Sequence, residues 1–189
     1  MICRGNILLI LDADVMIKIL ETAEGNVAER IITWLRSSLR HAPRNISGKS
    51  VTILASKNIL CDYKSGFYKT DNGPLYRALE ILFDKGWSQR RVQSSRGTIH
   101  LMVYLINDSQ SLDRNLERRM KQMDKFDRKY VLALRKSISL NHLIDRQVLF
   151  VSEDDTCLRG MTECLVDLRN GRRIETSTWS EITDKLGNH

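Results

Sequence analysis

The chain reads as an α/β protein: a three-layer sandwich with a central, mainly parallel sheet and helices on both faces. Three observations carry that expectation. Short continuous apolar runs at 7–11 (ILLIL), 51–55 (VTILA) and 148–151 (VLFV) have the pattern of strands buried on both faces. Stretches of helical periodicity alternate with them, as parallel sheets require. Two of the runs end in carboxylates, at Asp12 and at Asp154, and in open α/β sheets ligands bind outside the carboxyl ends of the strands.

The elements follow in order. After the first strand comes a short helix over 15–21, for which Asp14 fits the N-cap position. Gly25 and Asn26 break the chain. Val27, Ile31, Leu35 and Leu39 recur every four residues with Ile32 beside them, giving an amphipathic helix that ends before Pro43. The polar, basic stretch 40–50 reads as a loop. The β-branched run 51–55 is a second strand, and a helix follows through Ile59, Leu60, Asp62 and Tyr63. Residues 69–74 are turn-rich. Leu75, Ala78, Leu79, Leu82 and Phe83 mark another helix, closed near Gly86. The segment 87–96 is polar and basic, and 98–106 is an apolar run that periodicity does not assign to strand or helix. Residues 112–138 are helical in pattern, with apolar positions at Leu116, Met120, Met123, Tyr130, Val131, Leu134 and Ile138. Asp127 fills the gap in that stripe. Asp124, one turn earlier, fits an N-cap with Asp127 as its N3 acid, so a break in the helix is compatible with the pattern. After the third strand at 148–151 come a polar helix, a turn at Asn170 and Gly171, a short strand at 174–176 and a closing helix over 179–186.

The 189 residues leave room for one domain with a full core. The net charge of +7 and the pI of about 9.4 suit a polyanionic partner, which is a statement about association and not about fold. The four cysteines, Cys3, Cys61, Cys157 and Cys164, form no CxxC pair. They signal neither zinc nor a redox couple and read as ordinary thiols of a reducing, cytoplasmic compartment. The apolar run before Asp12 is too short for a signal-peptide core or a membrane span.

The recurring feature is an acid in one structural place. Asp12 and Asp154 each follow an apolar strand, Asp62 follows the second strand on the adjoining helix, and Asp127 interrupts an apolar helix face. Burying such groups unpaired is expensive, and like charges at that density repel unless cations occupy the site. Hard oxygen ligands suit Mg²⁺ or Mn²⁺, and metal-bound carboxylate clusters suit phosphoryl chemistry.

Here the sequence resembles the PIN-domain nucleases. Residues 7–15 resemble that family's opening strand, apolar and then Asp-x-Asn/Asp-Val. Residues 53–63 (ILASKNILCDY) are similar to its strand-and-helix segment ending in an acid. Residues 124–134 (DKFDRKYVLAL) resemble its third motif, 148–154 (VLFVSED) its fourth, and 174–186 its last strand and helix. The order and approximate spacing agree over most of the chain, except at 74–115, a helical and basic insertion relative to a minimal PIN domain. Asp62 stands where Glu is usual, one methylene shorter, and Asp14 where Asn is common. The resemblance implies metal ligation by Asp12, Asp62, Asp127 and Asp154, with Asp14 and Ser152 as supporting polar groups and Asp124 and Asp155 as flanking acids. It implies metal-dependent endonucleolytic cleavage of single-stranded RNA. Many members are toxins held by a protein antitoxin, others process RNA, and some only bind it. A homo-oligomer is compatible with the sequence.

Between residues 110 and 136 there are nine Lys/Arg against four acids, so this segment is the expected RNA face. Arg118, Arg119, Lys121, Lys125, Arg128 and Lys129 lie off the apolar stripe. Trp87 and Tyr63 are candidates to stack bases, or else packing residues. Two rivals stand beside this reading. A HAD-type phosphatase would use Asp12 and Asp14 as nucleophile and general acid, Ser56 for phosphate, a lysine such as Lys129 or Lys136, and the Asp154–Asp155 pair. A PIN-like module with a degraded site would bind RNA without cleaving it.

Overall fold

The computed structural model describes residues 6–40, 50–86, 88–94, 97–107, 113–139, 147–168, 174–178 and 181. The elements are β1 (Asn6–Leu11), α1 (Ala13–Glu21), α2 (Val27–Arg40), β2 (Ser50–Ser56), α3 (Lys57–Lys69), α4 (Gly73–Asp84), β3 (Ser88–Ser94), β4 (Gly97–Ile106), α5 (Arg114–Met120), α6 (Arg128–Ser139), β5 (Gln147–Val151), α7 (Asp155–Leu168) and β6 (Ile174–Ser177).

The sheet order is β3-β4-β2-β1-β5-β6. The five strands from β4 to β6 are parallel, and β3 pairs antiparallel with β4 at one edge. Leu9 of β1 lies opposite Ile53 of β2 and Leu149 of β5. β1 is central and covered on both faces, so every residue from Ile7 to Leu11 is buried. Helices α1 to α4 pack among themselves, as do α5 to α7. The right-handed rule for crossovers between parallel strands accounts for this division. The chain winds from β1 through β2 to β4 with α1–α4 on one face. It then returns to β5 and β6 with α5–α7 on the other. The winding reverses between β1 and β5, which is where an open α/β sheet leaves a crevice.

The expected sandwich is therefore the observed one, with corrections inside it. The run 98–106 is a strand, and 88–94 pairs with it. Among its described residues the segment 74–115, expected to be a helical insertion, holds most of α4, a strand pair that widens the sheet and the start of α5. Asp12, not Asp14, caps α1, because its carboxylate accepts from Ala13 N. Gly25, at φ +98°, supplies the left-handed turn between α1 and α2.

The helix expected over 112–138 is two helices. Asp124 causes the break: its Oδ1 accepts Phe126 N at 2.8 Å, a local bond that competes with helix propagation. Arg128 Nη2 donates to the carbonyls of Lys121 and Met123, both at 3.3 Å, satisfying acceptors released at the end of α5. Asp127 therefore lies in the turn leading into α6, not on a helix stripe. Of the loop read at 40–50, Arg40 ends α2, Ser50 opens β2 and 41–49 lie outside the described residues, as do Trp87, the turn read at Asn170 and Gly171, and the helix read over 179–186 apart from Glu181. Among the described residues, no helix is long and apolar enough to cross a membrane.

Candidate active site

Asp12 sits where β1 becomes α1. Its backbone N–H donates to Val151 O at 2.9 Å, extending the β1–β5 ladder by one residue. Both carboxylate oxygens are held. Oδ1 accepts from Ala13 N at 2.6 Å and from the Tyr130 hydroxyl at 2.8 Å, and Oδ2 accepts from Ser152 Oγ at 2.6 Å. Ser152 is buried, donates its backbone N–H to Ser177 O at 3.1 Å and accepts Asp154 N at 3.0 Å. Asp154 caps α7, its Oδ1 accepting Thr156 N at 2.7 Å and Cys157 N at 3.2 Å. The ends of β1 and β5 thus share one hydrogen-bonded unit, in which Ser152 links the Asp12 carboxylate to the backbone N–H of Asp154.

Asp127 reaches the same place from the turn before α6. Burial, and then the charges of Asp12, Asp124 and Asp154, push its carboxyl up from the ordinary 3.8 to about 6, against the pull of Lys129. The Cys157 thiol hydrogen-bonds Asp127. Burial and then Asp12, Asp127 and Asp154 hold its pKa far above the ordinary thiol range. Asp14, exposed in the first turn of α1, is raised by partial burial and by Asp12, Asp62 and Asp154. Carboxylates from β1, α3, the α5–α6 turn and β5 therefore sense one another's charge.

Asp62 belongs to this group but is already paired with a cation. Its Oδ1 lies 2.8 Å from Lys129 Nζ, with the two side chains 27% and 14% exposed. Its Oδ2 lies 2.6 Å from the Tyr130 hydroxyl oxygen, which is shared with Asp12. Its neighbour Tyr63 is fully buried, and the Tyr63 hydroxyl donates to Leu11 O at 2.6 Å, pinning α3 to the end of β1. Tyr63 is a packing residue and not a base-stacking one. Asp124 shapes its turn, and Asp155 is an exposed first residue of α7.

The expected RNA face is also smaller than the sequence suggested. Arg118, Lys121 and Lys125 are exposed and Arg119 is partly so. Arg128 is committed to the α5–α6 turn, and Lys129 points inward to Asp62. The phosphatase reading loses its phosphate group: Ser56 is fully buried, and its Oγ accepts Ile59 N at 3.3 Å as the cap of α3.

One site residue, Tyr130, reads in the sequence only as a member of the apolar stripe, while Lys129, a candidate for RNA or phosphate, turns to Asp62 instead. The signal was there in part, because a tyrosine on a core stripe still needs a partner for its hydroxyl. Among the described residues, no three His, Cys, Asp or Glu side chains form a ready-made metal-binding group. The donor chemistry of Asp12, Asp127 and Asp154 nevertheless fits a hard divalent cation, since all are oxygen donors in a cluster whose negative charge is already felt at Asp127. Asp62 fits less well, being paired with Lys129. Compared with known proteins, the chain matches no family model and no curated protein.

Proposed function

We propose that the chain is a PIN-like, metal-dependent endoribonuclease that hydrolyses phosphodiester bonds of single-stranded RNA. One observation carries this reading: at the β1/β5 switch point the Asp12 carboxylate is bonded through Ser152 to the backbone of Asp154, and the Asp127 carboxyl feels the charge of both acids. Those three acids would hold Mg²⁺ or Mn²⁺, with Asp62 an outer partner. When bound, the ion supplies charge neutralisation at the phosphate and an acidified water. The protein's own groups orient the ligands. Ser152 and Tyr130 fix both oxygens of Asp12, the α7 cap fixes Asp154, and Lys129 fixes Asp62. The net charge of +7 favours a polyanionic substrate. The free thiols of Cys61, Cys157 and Cys164 suit action in the cytoplasm, and a protein inhibitor of the antitoxin type is a further partner the resemblance implies.

A second reading draws on the Lys129–Asp62 pair, which removes one acid from the metal set. It is an RNA-binding module that does not cleave. The test is incubation with generic single-stranded RNA and Mn²⁺, beside Asp12→Asn and Asp127→Asn. Metal-dependent fragments lost in both variants support the nuclease. Retention of RNA with no fragments leaves the binding module, and hydrolysis of small phosphate esters with RNA untouched returns the phosphatase.

A further inference from the structure

Phe126 is 63% exposed, the most exposed large apolar side chain among the described residues. Its exposure is built into the fold. The turn carrying it is tied by Asp124 Oδ1 to Phe126 N at 2.8 Å, by Asp127 N to Asp124 O at 3.1 Å, and by Arg128 Nη2 to the carbonyls of Lys121 and Met123. A phenyl ring is thus held in water on an ordered turn, and the next residue along the chain is Asp127 of the acid cluster. Lys125 Nζ lies 4.9 Å from the ring centroid. Arg118 and Lys121 are exposed nearby in the sequence, and the pair that Lys121 makes with Glu117 at 3.6 Å is solvent-exposed and readily exchanged.

An exposed aromatic face beside solvent-exposed cations is the combination that grips single-stranded nucleic acid, one group for a base and the others for its phosphates. We propose that Phe126 is the stacking platform for one unpaired base of the bound strand, with Lys125 and Lys121 on the adjoining phosphates. This rests on the ribonuclease reading and deepens it. A duplex keeps its base faces inside its own stack, so the platform selects single strands.

The experiment measures binding of a fluorescein-labelled 12-mer of U, and of a 12-base-pair RNA duplex, by anisotropy with the full chain. Each is run once in EDTA and once in Ca²⁺. The variants are Phe126→Ala, Phe126→Leu, which keeps apolar bulk without a π face, and Phe126→Trp. The ring is exposed, so all should melt like the wild type. Phe126→Ala and Phe126→Leu are expected to weaken single-strand binding by about 5- to 100-fold. Phe126→Trp should retain it, and weaker duplex binding should not change. Single-strand binding by the wild type that Phe126→Ala leaves intact overturns the platform and keeps the ribonuclease reading. No RNA binding by the wild type in either condition overturns both. Self-association of the wild type in sedimentation, lost in Phe126→Ala with RNA affinity unchanged, assigns the ring to a second copy of the chain instead.

Discussion

The Tyr130 hydroxyl stands between two carboxylates, 2.8 Å from Asp12 Oδ1 and 2.6 Å from Asp62 Oδ2. It has one proton and donates to one oxygen at a time. The other contact is eased by a nearby cation, Lys129 on Asp62. The ring itself is buried against Phe150, with centroids 5.2 Å apart.

Tyr130→Phe keeps that ring and removes only the clasp between the two acids. The expected loss is about 2 kcal/mol of stability, the scale of a hydrogen bond to a charged group. Asp12 and Asp62 then repel without mediation, so Mn²⁺ should raise the melting temperature of the variant more than that of the wild type. An equal Mn²⁺ shift in both proteins would detach Tyr130 from the metal-holding acids.

Lys129 and Asp62 should behave as a unit. Lys129→Met strands a half-buried carboxylate and should cost about 2 kcal/mol, less than the roughly 3–5 kcal/mol seen when a fully buried pair loses one partner. Adding Asp62→Asn should recover much of that loss, and the double-mutant cycle reads the coupling directly. Asp62→Asn alone should reduce RNA cleavage far less than Asp127→Asn does. Equal loss of cleavage in the two would make Asp62 a direct metal ligand.

Asp127 predicts a pH dependence of stability. Its folded-state carboxyl titrates at about 6, above the ordinary 3.8. The folded state therefore binds more protons between about pH 4 and 6, and stability falls as pH rises through that window. Asp127→Asn lacks the penalty. Without metal it should melt above the wild type at pH 7, and its advantage should vanish by about pH 4. With saturating Mn²⁺ the order at pH 7 should reverse, because only the wild type gains the ion's binding energy. A variant that melts lower than the wild type in EDTA at pH 7 would give Asp127 a structural role, through Cys157.

The exposed cations predict a salt dependence. Replacing Arg118, Lys121 and Lys125 together by Glu should weaken RNA binding at low salt. It should also reduce the slope of log affinity against log salt by about 2, at roughly 0.7 per lost single-strand phosphate contact. An unchanged slope, measured by anisotropy over a salt series, would place the RNA path away from α5 and the turn after it.

Local pattern was enough for the sheet's interior and for the acids' places along the chain. The runs 7–11, 51–55 and 148–151 became β1, β2 and β5 because strands covered on both faces must be apolar throughout. Asp12 and Asp154 were legible because they end such runs. The run 98–106 was not legible as a strand, since a short apolar run has no period to separate strand from helix. The break at residues 121–127 was legible only as one option, through Asp124 as a cap, and the structure decides it, the Asp124 side chain bonding Phe126 N. The wiring of the site was beyond any local pattern. Tyr130 and Asp12 are 118 residues apart, as Lys129 and Asp62 are 67 apart by their numbers, and each pair meets only because β1 lies between β2 and β5 in the sheet. A side chain's periodicity gives the face it lies on, while its partner across the crevice is chosen by strand order, and strand order is a property of the whole core.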